Sequence, residues 1–167
     1  RLVSRYDVLC ESFRPDVWAR LSLDIGALCA ENPRLIVCSI TGYGQSGPLA
    51  ERAGHDLNYL AQAGVLGLTG PAKGPPQVFG VQLADIGGGA LYGALAVTLA
   101  LFDRERTGRG AHLDVAMTDA SALFATLGLT RQAADASGAP PRGGDQLTGG
   151  IAPYSTYETE DGRYVTL

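Results

Sequence analysis

Leu35-Ile36-Val37-Cys38-Ser39-Ile40 is a run of six apolar or small residues, with the turn formers Asn32-Pro33 ahead of it and Gly42 close behind. A stretch so apolar, without alternation, reads as a strand buried on both faces, as in a parallel sheet covered by helices. Asp7-Val8-Leu9-Cys10-Glu11 is a shorter run of the same kind. Between the two, Asp16 to Leu23 and Asp24 to Glu31 have the pattern of short helices, the second stopped by Asn32-Pro33. Strand, helix, strand in that order predicts an α/β fold with a parallel sheet. Ala111 to Val115 is a further strand candidate, and Val78 to Leu83 another.

Composition narrows the class of function. A content of 46% hydrophobic and 18% charged residues is globular. The formal charge of −4 lacks the basic excess of a nucleic-acid binder, so no nucleic-acid partner is expected. Cys10, Cys29 and Cys38 are odd in number and without CxxC spacing, which argues against a disulfide framework or a metal site. A reducing compartment fits: the cytoplasm, or the peroxisome or mitochondrion in a eukaryote. The apolar run Ala90 to Phe102 holds about 13 residues, short of the roughly 20 that cross a bilayer, and reads as a buried helix and no membrane span. The chain opens on Arg1 and stops at Leu167 within a strand-like pattern, as an internal piece of a longer protein would. Residues 1–130 read as part of a large α/β domain, 131–150 as a Gly/Pro/Ser-rich linker, and 151–167 as the first hairpin of a smaller domain, turning at Asp161-Gly162.

Acid–base chemistry has few candidates. There are two histidines. One, His55, opens a segment with helical spacing from Ala53 to Leu68, with Leu57, Leu60, Ala61, Gly64 and Val65 along one side. It reads either as a general base or, with Asp56, as a helix cap. Asp85 stands before Gly87-Gly88-Gly89 at the start of a helical pattern running through Leu91, Leu95, Leu99 and Phe102. It reads either as a catalytic carboxylate or as an ordinary N-cap. Three glycines weaken a first helical turn, so something must compensate for them. If the chain is an enzyme, its proton handling runs through His55 and Asp85.

Other motifs are weaker. Gly42-Tyr43-Gly44-Gln45-Ser46-Gly47 is formally GxGxxG, but Pro48 follows at once and no helix opens on the last glycine, so dinucleotide binding is rejected. Arg14, on the loop after the first strand, is an anion contact or a solvated arginine. Asp103-Arg104-Glu105-Arg106-Thr107-Gly108-Arg109-Gly110 is a solvated turn or a basic contact for a phosphorylated ligand. His112 is expected to be exposed beside Asp114, and Met117 to Leu129 to form one small-residue helix.

Taken together, Asp7-Val8-Leu9 with Phe13-Arg14-Pro15, Thr41-Gly42-Tyr43-Gly44-Gln45-Ser46-Gly47-Pro48, Ala53-Gly54-His55-Asp56-Leu57-Asn58-Tyr59, Ala84-Asp85-Ile86-Gly87-Gly88-Gly89, Arg104 to Gly110 and Tyr157 to Tyr164 form an ordered set. In it the chain resembles the class III CoA-transferase superfamily (CaiB/BaiF type), most closely its α-methylacyl-CoA racemase branch. The resemblance implies a Rossmann-like large domain, a smaller α+β domain and an interlocked homodimer. It implies an isomerase of lipid metabolism acting on 2-methylacyl-CoA thioesters, with His55 and Asp85 as the two catalytic groups. It assigns coenzyme A, part of the substrate and with no other cofactor, to Ser12, Phe13, Arg14 and Arg20 and to Gly54, His55, Asp56, Leu57, Asn58 and Tyr59. The transferase branch uses the same aspartate as a nucleophile, with another residue commonly at the histidine position. A CoA-transferase is therefore the alternative, and a piece that binds CoA without turnover a third. The resemblance also implies a catalytic glutamate beyond Leu167, and it leaves the acyl group open.

Overall fold

In the computed structural model, residues 2–134 and 141–167 are described. The six-residue run forms β2 (Ile36–Thr41), the middle strand of a parallel three-stranded sheet ordered β1-β2-β3, with β1 at Val8–Glu11 and β3 at His112–Ala116. Val8 pairs with Ile36 and Cys10 with Cys38 on one side, and Val37 pairs with His112 and Ile40 with Val115 on the other. Ile36, Val37, Cys38 and Ser39 are wholly buried, which is why this strand is apolar without alternation. The three thiols are free, and burial pushes that of Cys38 up to about 11.

The β1–β2 crossover consists of α1 (Pro15–Arg20) and α2 (Ile25–Glu31). Pro15 occupies the first turn of α1, where its missing N–H costs nothing. The Asp24 carboxylate caps α2 by accepting the Gly26 N–H at 2.7 Å.

The β2–β3 crossover carries the site. It holds α3 (Asp56–Gln62) and one continuous helix over Ala84–Thr107, wound as a π-helix from Ala84 to Leu91 and as α4 from Tyr92 to Thr107. The helix expected over 53–68 is shorter than its pattern: Gly64, at φ +79°, turns the chain, and only a 3₁₀ turn at Leu66–Leu68 follows. The strand expected from Val78 to Leu83 does not form. Val78 and Val81 lie exposed on an irregular segment that joins neither outer edge of the sheet.

Three glycines in the first turns of the long helix are compensated by packing. A Cβ at Gly88 would stand 2.8 Å from the Met117 carbonyl oxygen and 2.8 Å from Ser121 Oγ, so the absent side chain lets α5 (Met117–Ala122) lie against the helix. The single helix expected over 117–129 is broken: a 3₁₀ turn at Leu123–Ala125 separates α5 from α6 (Thr126–Ala134). Of the linker expected over 131–150, residues 135–140 lie outside the described ones.

The apolar run 90–102 is not a buried helix. Leu91, Leu95, Leu99 and Phe102 are all exposed, while Gly93 on another side packs onto Ile40. At 24 residues and mean hydropathy 1.5, Ala84–Thr107 is also long and apolar enough to cross a membrane by those two criteria, more than the run of 13 predicted. Its far end is pinned to the sheet. Arg104, 7% exposed, donates to Asp7 Oδ1 at 2.9 Å and to the Arg34 carbonyl at 3.2 Å, so this arginine is structural rather than a free basic contact. The chain closes on an antiparallel hairpin, β4 (Thr156–Glu158) and β5 (Tyr164–Thr166), with Gly162 at φ +76° in the turn.

Candidate active site

The segment Gly54-His55-Asp56-Leu57-Asn58-Tyr59 folds into a turn that uses nearly all its own polar groups. Asn58 Oδ1 accepts the His55 backbone N–H at 3.0 Å, and the Tyr59 hydroxyl donates to the Gly54 carbonyl at 2.5 Å. Asp56 Oδ1 accepts the backbone N–H of Asp85 at 2.9 Å. His55 and Asn58 close a reciprocal capping box at the start of α3: Asn58 Oδ1 takes the His55 N–H, and the His55 side chain faces the Asn58 backbone N–H. The imidazole is otherwise exposed, so the cap and a chemical role share one side chain.

The core beneath this turn fixes it. Tyr59, Leu60, Val65, Ala84 and Ala125 form one buried cluster with Tyr43, Leu83 and Met117 against it. The Tyr43 and Tyr59 rings meet edge to face at 5.2 Å. Tyr59 is therefore part of the scaffold, with its hydroxyl already engaged. A Cβ on Gly54 would fall 2.7 Å from the Tyr59 ring and 2.8 Å from the Tyr43 hydroxyl, which is why glycine precedes His55.

The sheet presents the turn at its carboxyl edge. The loop after β2 is tied to the start of α5, where Thr118 donates from its N–H and hydroxyl to the Gly42 carbonyl at 3.0 and 2.7 Å. The GxGxxG segment is thus a backbone-rich loop, pinned further by Asp114 Oδ2 accepting the Gln45 N–H at 2.9 Å. His112 is exposed as expected, but its Nε2 lies 2.9 Å from Ser39 Oγ rather than against Asp114. The carboxyl edge is where open α/β sheets bind ligands.

His55, Asp56 and Asp85 are brought together across a long stretch of chain. The Asp85 carboxyl is pushed above the usual carboxylate range, first by partial desolvation and then by the negative charge of Asp56; the neighbouring His55 pulls the other way. A carboxyl held towards its acid form beside an imidazole is a pair of the kind that acid–base chemistry uses. The Tyr59 hydroxyl is raised as well, by burial first, then by Tyr43 and Asp85.

Ser12, Phe13 and Arg14 follow β1 at the same edge of the sheet, and all three are exposed. Phe13 stacks edge-on against Trp18 at 6.2 Å, and Arg20 pairs with Asp16 at 3.2 Å. No hydrogen bond or ion pair among the described residues joins these four to the His55–Asp85 cluster. The link that spacing did not reveal is the Asp56–Asp85 bond, which only the folded chain makes visible.

An α/β sheet with His55, Asp56 and Asp85 gathered at its carboxyl edge has the layout of an open-sheet ligand site. The CoA-transferase family III profile matches residues 1–167, and the chain belongs to that family. It is 42% identical to the human α-methylacyl-CoA racemase over 167 residues, covering 100% of this chain and 44% of that protein. It is 39% identical over 165 residues to an acetyl-CoA:oxalate CoA-transferase of Acetobacter aceti, covering 98% of this chain and 42% of the relative. The crystal structure of a CaiB/BaiF family protein from Brucella suis superposes with a TM-score of 0.86 at 40% identity, over 98% of this chain and 42% of that one. The chain thus spans less than half the length of the relatives it matches.

Proposed function

We propose that the protein containing this chain is an acyl-CoA racemase or epimerase that inverts the α-carbon of 2-methylacyl-CoA thioesters. The observation that carries the reading is the pairing of an exposed imidazole, His55, with Asp85, a carboxyl raised above its ordinary range. Inversion needs one group to take the α-proton and a second to return one to the opposite face. In one direction His55 takes the proton and Asp85, as the acid, supplies one; in the other their roles exchange. The enolate between the two steps needs donors at the thioester oxygen, which backbone N–H groups at a helix start can supply. Coenzyme A enters as part of the substrate; Arg14, on the loop that follows β1 at the carboxyl edge of the sheet, suits its phosphates as a charge-assisted donor, and Arg20, paired with Asp16 at the end of α1, is the second candidate.

The exposed stripe Leu91, Leu95, Leu99 and Phe102 supports the homodimer that the family resemblance implies. The second reading is CoA transfer, in which the Asp85 carboxylate attacks an acyl thioester as a nucleophile. It is favoured by the 39% identity to a transferase, barely below that to the racemase. The full-length protein, incubated with a 2-methylacyl-CoA in deuterated water, separates the two. Deuterium entry with loss of stereochemistry, abolished in His55→Ala and in Asp85→Ala, is the expected result. No exchange, but CoA passing to an added carboxylate with Asp85 essential and His55 dispensable, would assign the transferase.

A further inference from the structure

We propose that Asp56 is a positioning residue for the reacting pair: by holding the backbone N–H of Asp85 it fixes the helix that carries the carboxyl against the turn that carries the imidazole. This rests on the reading of His55 and Asp85 as the acid–base pair.

The geometry is direct. Asp56 is the first residue of α3 and adjoins His55, whose own backbone N–H is held by Asn58 at 3.0 Å. Its Oδ1 accepts from Asp85 at 2.9 Å. A single carboxylate therefore connects two chain segments separated by 29 residues, within one residue of each reacting side chain.

The long helix needs such an anchor. Leu83, at its N-cap, offers no side-chain bond to the first-turn N–H groups, so the helix does not cap itself. Gly87, Gly88 and Gly89 raise the entropic cost of ordering these turns. A carboxylate arriving from a neighbouring helix meets one of the unpaired donors, and its charge suits the positive end of the helix dipole. An acceptor at this position is therefore what holds Asp85 at a fixed distance from His55.

The test uses Asp56→Ala and Asp56→Asn in the full-length protein. Asparagine keeps an acceptor oxygen, whereas alanine removes it. Exchange of the α-proton and CoA transfer are both measured, along with amide hydrogen exchange in the peptide containing Asp85. Expected for Asp56→Ala is a fall in kcat of about 100-fold, the scale of a displacement near 1 Å at a reacting group. KM stays within about threefold, because uniform binding is untouched. Faster amide exchange at Asp85 accompanies the loss; Asp56→Asn recovers the amide protection and kcat in part, since it keeps the acceptor but removes the charge that helps raise Asp85. An alanine variant that keeps wild-type kcat, or an asparagine variant as poor as alanine despite normal amide protection, overturns the proposal. If the wild type transfers CoA without exchanging the α-proton, the racemase reading fails while the same pair of variants is read on transfer. If the wild type does neither, the acid–base reading and the catalytic role of Asp56 fall together, and unchanged amide exchange in Asp56→Ala would remove the anchor as well.

Discussion

Replacing Gly88 with alanine sets two opposed effects in one place. Alanine stabilises a helix interior by about 1 kcal/mol relative to glycine. The new methyl group, however, would stand 2.8 Å from the Met117 carbonyl oxygen and from Ser121 Oγ, and 3.4 Å from the Ser121 nitrogen. Two of these three atoms are backbone of α5, which yields only if the whole helix shifts. Overpacking of this kind costs typically 1–3 kcal/mol, and fixed backbone places it near the top of that range, about 3. The net effect is a loss of about 2 kcal/mol. Gly87 is the control one residue away. Its methyl would meet the Phe124 ring tip at 2.8 Å, and Phe124 is 47% exposed and free to turn aside. There the propensity gain survives, and Gly87→Ala is neutral or stabilises by a few tenths to about 1 kcal/mol. Urea unfolding of the full-length protein reads the difference: with m near 2 kcal/mol/M, the Gly88 midpoint falls by about 1 M and the Gly87 midpoint does not fall. If both variants shift in the same direction by the same amount, close packing is not what the glycines are for.

Two further outcomes are expected. Asp7→Ala, at a carboxylate whose side chain is 74% exposed, leaves the buried Arg104 guanidinium without its main partner. The expected cost is about 2 kcal/mol, well beyond that of an ordinary surface carboxylate; a thermal shift equivalent to less than about 0.5 kcal/mol would refute the staple. Asp85→Asn tests the raised carboxyl. Because the folded group holds its proton more tightly than the unfolded one, its contribution to stability declines as pH rises from the unfolded value through the folded one. The asparagine variant should therefore gain on the wild type in melting temperature between pH 3 and pH 8 while losing turnover. A gap that narrows or stays constant with rising pH would mean the carboxyl is not raised.

How much could be read from the chain varied with how local the cause was. β2 was legible because burial on both faces writes itself into every residue from Leu35 to Ile40. The hairpin at Asp161-Gly162 was legible because the turn chemistry is local. The long helix was read correctly as a helix and wrongly as buried: the period of Leu91, Leu95, Leu99 and Phe102 shows that one side is apolar, but not what covers it. Val78 to Leu83 has the composition of a strand, yet a strand exists only where another offers its edge, which is a property of the whole sheet. Ala53 to Leu68 looked continuous because spacing counts apolar residues and is blind to the positive φ at Gly64. At the site, His55 and Asp85 stood out by rarity and by the glycines near them. The bond between Asp56 and Asp85 did not, since it joins residues whose proximity only folding creates.

The turn from Gly54 to Tyr59 has a consequence for how such a protein changes over time. Its shape is held mainly by Asn58, Tyr59, Asp56 and the backbone of position 55, and the side chain at 55 adds only its half of the capping box. A mutation there leaves the loop standing. Selection can therefore try different chemical groups opposite Asp85 at little structural risk, on an otherwise unaltered frame.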